Sequence, residues 1–179
     1  VLFGDGAGAV VMEPVDHGGF LGFELGADGG GGVHLQYPGS GSRKFENPES
    51  MLKMNGREVY KFATRVMVSS AEAVLAECGR TIDEVDVYVP HQANKRIIDH
   101  AVGKLGVSPA KTVVNVDRYG NTSSGSIPLA LADARADVGL ALDQVEGADR
   151  LGNDGVDPEA RGEARIGILA DHLDAAAQL

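Results

Sequence analysis

The sequence predicts an α/β fold, a mixed sheet with helices on both faces, and two observations carry that expectation. Residues 57–78 and 94–105 place apolar side chains at helical spacing, and two short β-branched runs, residues 85–89 and 112–116, each end in a turn that leads into a helix. With 179 residues, 43% of them hydrophobic and 23% charged, the chain is long enough to bury one core.

Taken in order, the elements begin with "VLFGDGAGAVVMEP". Gly4, Gly6 and Gly8 alternate, but a dinucleotide fingerprint needs G-x-G-x-x-G between a strand and a helix, and here residues 9–12 continue as a β-type apolar run. The glycines are therefore expected to let backbones approach closely. Residues 18–47 are glycine-rich, with a strand expected over residues 20–25 and a surface excursion after it. The first helix carries Phe62, Ala63, Val66, Met67, Ser70, Ala71, Val74, Leu75 and Cys78 on one face and stops at Gly79. "TIDE", from Thr81 to Glu84, has the spacing of a capping box. A strand over residues 85–89 ends at Pro90, and Ile97, Ile98, Ala101, Val102 and Leu105 line a second helix closed by Gly106. A strand over residues 112–116, a "DRYGN" turn and a helix from Ser123 onward, with Pro128 in its first turns, complete the pattern.

Composition removes several function classes. The 26 acidic residues outnumber the 16 basic ones, whereas nucleic-acid binding calls for a basic footprint. There is no run of 18 apolar residues and no signal-peptide pattern, so neither membrane insertion nor secretion is expected and the cytoplasm is the default location. The single cysteine, Cys78, cannot form an internal disulfide. It ends an apolar stripe, a setting for core packing rather than for a stabilised thiolate. His17 and His34 lack metal-ligand spacing and are read as solvated loop residues; no metal site is expected.

What remains is a pair of junctions. "VPHQANKRI" puts His91 between a strand and a helix, and "RYGNTSSGSIP" puts Asn121 at the next such junction. Loops at the ends of sheet strands are where open α/β folds hold ligands and reacting groups. One histidine after a strand is more often structural than catalytic. A histidine and an asparagine at successive junctions can both aim hydrogen bonds into one crevice.

The stretches "VPHQANKRIIDHAVGKLG" and "VVNVDRYGNTSSGSIPLALADA" closely resemble the carboxy-terminal half of β-ketoacyl-acyl carrier protein synthase III. "VLFGDGAGAVV" and "KMNGREVYKFATRVM" fit the same family, and the resemblance spans about residues 1–137. It implies a thiolase-like fold, homodimeric assembly and an acyltransferase that joins acyl-CoA to malonyl-acyl carrier protein with loss of carbon dioxide. It also implies no cofactor beyond the CoA thioester substrate. His91 and Asn121 match the histidine and asparagine of the family's Cys-His-Asn triad, so both are expected to donate hydrogen bonds to the thioester oxygen as it becomes an enolate oxygen. Met54, Gly56, Arg57, Tyr60, Gln92 and Asn94 match positions lining the pantetheine passage. Arg96, and secondarily Lys95, match the docking face for acyl carrier protein. His100 and Arg118 are read as structural.

Two departures qualify the resemblance. The family's nucleophilic cysteine belongs to its first half, and Cys78 does not match it, so the chain, which opens with Val in mid-pattern, is expected to be a fragment inactive by itself. From about Val138 the composition changes: residues 138–179 contain nine acidic and three basic side chains, and no aromatic residue follows Tyr119. The organisation expected is thus a half-domain over 1–137 and an acidic, poorly ordered tail over 138–179, with at most a marginal helix after Arg165. Two other readings stand beside the synthase: a non-catalytic thiolase-fold remnant or partner subunit that binds acyl carrier protein, and a polyketide-type condensing relative.

Overall fold

The computed structural model describes residues 3–12, 14, 19–38, 52–137 and 167–169. Strand β1, Ala9–Val11, is short, and the alternating glycines before it lie against the chain around Asn121. A Cβ at Gly4 would collide with the Tyr119 carbonyl oxygen, one at Gly6 would come within 2.8 Å of Thr122 Cγ2, and one at Gly8 would press into the Pro128 ring. Close backbone approach is therefore what these glycines provide.

Residues 20–25, expected as a strand, pair with no other strand among the described residues. Phe20 and Leu25 are more than 80% exposed, and among the described residues no strand offers this segment a ladder. About two turns of 3₁₀ helix, Gly29–His34, then lead into β2, Leu35–Gln36, which pairs antiparallel with β3, Lys53–Met54.

Helix α1, Gly56–Glu77, starts at Asn55 and ends as the periodicity predicts. Gly79 takes a left-handed φ of 62°, and its N–H and that of Arg80 donate to the carbonyls of Ala76 and Leu75, which satisfies the helix end. The capping box forms: the Thr81 N–H donates to the Glu84 carboxylate at 2.8 Å, and Ile82–Glu84 make a 3₁₀ turn. Helix α2, Lys95–Leu105, runs from the Asn94 cap to Gly106 at φ 73° and buries Ile97, Ile98, Ala101 and Leu105. It packs against α1.

The two runs expected as strands meet in one parallel bridge, Tyr88 with Thr112. Two side chains take the backbone groups that would extend the ladder. The Lys111 ammonium binds the Val85 carbonyl at 2.7 Å, and the Gln92 amide binds the carbonyls of Pro90 and Val113 at 2.9 and 3.0 Å. Val116 does not continue the second run but opens α3, Val116–Tyr119, a single helical turn. After a 3₁₀ turn at Ser123–Gly125, α4 spans Ser126–Asp137. Val113, Ala130 and Ala134 are buried together, with Val87 and Val89 packed on them, so the bridge sits directly on α4.

Strand β4, Gly167–Leu169, pairs antiparallel with β1, Val10 opposite Ile168. This corrects the expectation of at most a marginal helix there: the backbone of Gly167–Leu169 completes a ladder that β1 alone could not form. The order expected of residues 138–165 lies outside the described residues, as does His17. Among the described residues parallel and antiparallel pairing both occur, in three separate pieces.

Candidate active site

His91 follows the buried Pro90 at the end of the bridged run and reaches the surface. Its Nδ1 lies 2.6 Å from the hydroxyl of Ser126, the first residue of α4. That hydroxyl also accepts the Gln92 backbone N–H at 3.3 Å. Thus the loop carrying His91 is tied to the helix that follows Asn121. Partial burial pushes the imidazole below its ordinary value of 6.5, because the charged form is poorly solvated there. The shift favours the neutral ring.

Asn121 is held from both sides. Its carbonyl accepts the Gly4 N–H at 2.9 Å, and its side-chain oxygen accepts the Ser123 N–H at 3.0 Å. With Oδ1 engaged, Nδ2 is the group left to donate, and among the described residues it has no partner. Gly120, at φ 68° and ψ −162°, occupies a backbone region open essentially to glycine alone, which lets the chain turn between α3 and Asn121. The two junctions are joined through Ser126 rather than by a hydrogen bond between His91 and Asn121.

The bracing behind these junctions is polar and buried. Gln92 is 1% exposed; its amide nitrogen serves the two carbonyls named above, and its oxygen accepts the Asn115 N–H at 2.9 Å. A side chain so engaged has no amide donor left over. Asn115 Nδ2 and the Arg118 guanidinium both donate to Asp133 Oδ2 at 2.6 Å, locking α3 onto α4. Arg118 is structural, as expected.

The other expected site residues lie elsewhere or on the rim. Asn94 caps α2, with its oxygen accepting the Arg96 N–H at 2.9 Å, and its amide nitrogen makes no hydrogen bond among the described residues. Lys95 is paired with Asp99 at 2.7 Å, whereas the exposed Arg96 makes no ion pair among the described residues. Met54, Gly56, Arg57 and Tyr60 cluster at the end of β3 and the first turns of α1. None of the hydrogen bonds that organise His91 reaches them. An open cavity of about 520 Å³ does lie beside α1, but Asp28, His34, Glu58, Lys61, Phe62 and Arg65 line it and His91 does not. Cys78, half-buried at the end of α1, packs against Gly22, so closely that a Cβ there would come within 2.6 Å of its Sγ. Among the described residues no cluster of three metal-binding side chains occurs, and no helix is long and apolar enough to cross a membrane.

Residues 1–29 match the family model of 3-oxoacyl-[acyl-carrier-protein] synthase III, and residues 75–144 match the model of that family's C-terminal part, which contains both junctions. The chain belongs to the synthase III family. A β-ketoacyl-[acyl-carrier-protein] synthase III from Symbiobacterium thermophilum is 53% identical over 141 residues, covering 75% of this chain and 43% of that protein. The crystal structure of the Thermus thermophilus synthase III matches with 48% identity and a TM-score of 0.62, over 70% of this chain and 40% of that one. A priming β-ketosynthase from the R1128 polyketide pathway matches at 34% identity and a TM-score of 0.55, over 72% of this chain and 36% of that one. The chain thus spans about two fifths of the length of these synthase III relatives, within a thiolase-like α/β fold.

Residue type alone does not reveal Ser126 as the partner of His91; its one signal in the sequence is a hydroxyl near the start of the following helix.

Proposed function

We propose that this chain supplies the enolate-stabilising half of a β-ketoacyl-acyl carrier protein synthase III active site. The observation that carries the reading is that His91 Nε2 and Asn121 Nδ2, both without a partner among the described residues, stand on two junctions joined through Ser126. In the reaction, the bond between the malonyl carboxylate and its α-carbon breaks, carbon dioxide leaves, and the electron pair moves onto the thioester oxygen. His91 and Asn121 donate to that oxygen as its charge develops. The enolate carbon then attacks an acyl thioester carried by a cysteine, forming the new carbon–carbon bond and releasing the thiolate. Cys78, at the far end of α1, is not that cysteine.

The substrates on this reading are acyl-CoA and malonyl-acyl carrier protein, with no cofactor. Arg96, exposed and without an ion pair among the described residues, is the better candidate of the two cations for docking an acidic carrier protein, since Lys95 already pairs with Asp99. Asn94, with Met54, Gly56, Arg57 and Tyr60, would contact the pantetheine arm. The setting would be a cytoplasmic homodimer acting at the start of fatty-acid synthesis, with neither nucleic acid nor membrane as a partner.

The test is a chimera in which residues 1–137 replace the matching part of the Thermus thermophilus enzyme. His91→Ala or Asn121→Ala should lower malonyl-carrier protein decarboxylation by about 10²–10³, the usual effect of losing one preorganised oxyanion donor. Acyl transfer to the cysteine should change far less. Equal losses in both steps would refute this division of roles.

A further inference from the structure

We propose that Ser126 is a positioning residue that donates its hydroxyl proton to His91 Nδ1 and so fixes the imidazole as the Nε2–H tautomer. The catalytic consequence rests on the function proposed above; the tautomer itself does not.

Ser126 is 1% exposed, so water does not serve it. Its oxygen has two protein contacts, the Gln92 N–H at 3.3 Å and His91 Nδ1 at 2.6 Å. The backbone N–H can only donate, so it occupies one lone pair of the oxygen. The hydroxyl proton then needs an acceptor. A serine at a helix start can turn its proton back toward the carbonyl four residues earlier, here that of Thr122. That carbonyl instead accepts the Gly125 N–H at 3.1 Å, and no bond from Ser126 Oγ to it is formed. The acceptor within reach is Nδ1.

In the opposite arrangement Nδ1–H would donate to the hydroxyl, which would then accept twice and leave its own proton buried without a partner. Donation from Ser126 removes that cost and leaves the imidazole proton on Nε2, the nitrogen without a protein partner among the described residues. A substrate oxygen beside the ring therefore meets a donor rather than a lone pair. One serine thus sets both the orientation of the ring and the sense of its hydrogen bond.

The experiment is nitrogen-15 NMR of the 179-residue chain labelled at histidine, near neutral pH, with the His91 signals assigned by their loss in a His91→Gln variant. The expected result is a bare Nδ1 and a protonated Nε2. Ser126→Ala should shift the tautomer ratio toward Nδ1–H by about tenfold or more, the scale set by one buried hydroxyl proton without an acceptor. Ser126→Thr, which keeps the hydroxyl, should restore the original ratio. A protonated Nδ1 in the unsubstituted chain overturns the proposal and needs no variant to fold. An unchanged ratio in a folded Ser126→Ala protein overturns it as well. The two readings also fail separately. If His91 holds Nε2–H but the chimera decarboxylates without it, the function is wrong and the tautomer stands.

Discussion

Replacing Gln92 by Glu changes one buried group without changing its shape. In the native protein the amide nitrogen donates to Pro90 O and Val113 O at 2.9 and 3.0 Å, and the amide oxygen accepts from Asn115 N at 2.9 Å. A glutamate keeps the acceptor and loses the paired donors. As a carboxylic acid it can serve one of the two carbonyls and leaves the other unmet, at a cost of about 1–3 kcal/mol. As a carboxylate it faces both carbonyls with a negative oxygen, which burial at 1% exposure makes less favourable still. The folded state therefore raises the carboxyl pKa above its unfolded value of about 4.3, and the folded variant binds more protons than its unfolded form above that pH. Stability of the variant relative to the native chain must then fall as pH rises, until the folded pKa is passed. Between about pH 5.5 and 7.5 the gap should widen by up to about 2.7 kcal/mol, two pH units at about 1.36 kcal/mol each. Added to the missing hydrogen bond, this approaches the lower end of the roughly 5–15 kcal/mol that stabilises a typical domain. Urea unfolding followed by far-ultraviolet circular dichroism at the two pH values measures it. A loss below about 1 kcal/mol at both pH values would refute the assignment of Gln92 as the brace between the junctions.

Three further outcomes are expected. Asp133→Asn removes the charged acceptor shared by Asn115 and Arg118 and should cost about 2 kcal/mol in the same urea assay; the half-exposed Arg118 keeps the loss below that of a fully buried pair. A loss under about 0.5 kcal/mol would mean that α3 is held by something else. Thr122 has a buried hydroxyl with no partner among the described residues, so Thr122→Val should be neutral or stabilising by up to about 1 kcal/mol, and a clear loss of stability would reveal an acceptor. Burial holds His91 below 6.5, so its neutral form contributes stability that is present above that value and lost as pH falls through the folded pKa. His91→Gln should remove this acid-side decline, and parallel stability curves for the two proteins would contradict it.

Helix placement was legible in the sequence because it depends on local chemistry. The apolar spacing in α1 and α2, the stop glycines at 79 and 106 and the Thr81–Glu84 box act within a few residues of themselves, so each appears where the pattern puts it. The strands were not legible to the same degree. A β-branched run becomes a strand only if another segment offers its backbone groups, and residues 20–25 find none while residues 85–89 find one bridge. Strand β4 shows the converse, since Gly167–Leu169 is a strand through its pairing with β1, more than 150 residues earlier.

The sequence by itself determined which residue types stand at the two junctions, and the resemblance of HQAN and GNTS gave them their expected roles. It could not determine which of them are free to act. Gln92 and Asn94 look equivalent beside His91, yet the first has its amide spent on Pro90, Val113 and Asn115 while the second caps a helix and its nitrogen makes no hydrogen bond among the described residues. Lys95 and Arg96 likewise differ only once Asp99 is seen to take one of them. Ser126, one small residue among several in the string, becomes the partner of His91 only when α4 is laid against the loop from 35 residues earlier. The physical reason is the same each time. A side chain's chemistry is written locally, but what remains of it for function depends on which donors and acceptors the fold has already brought within 3 Å.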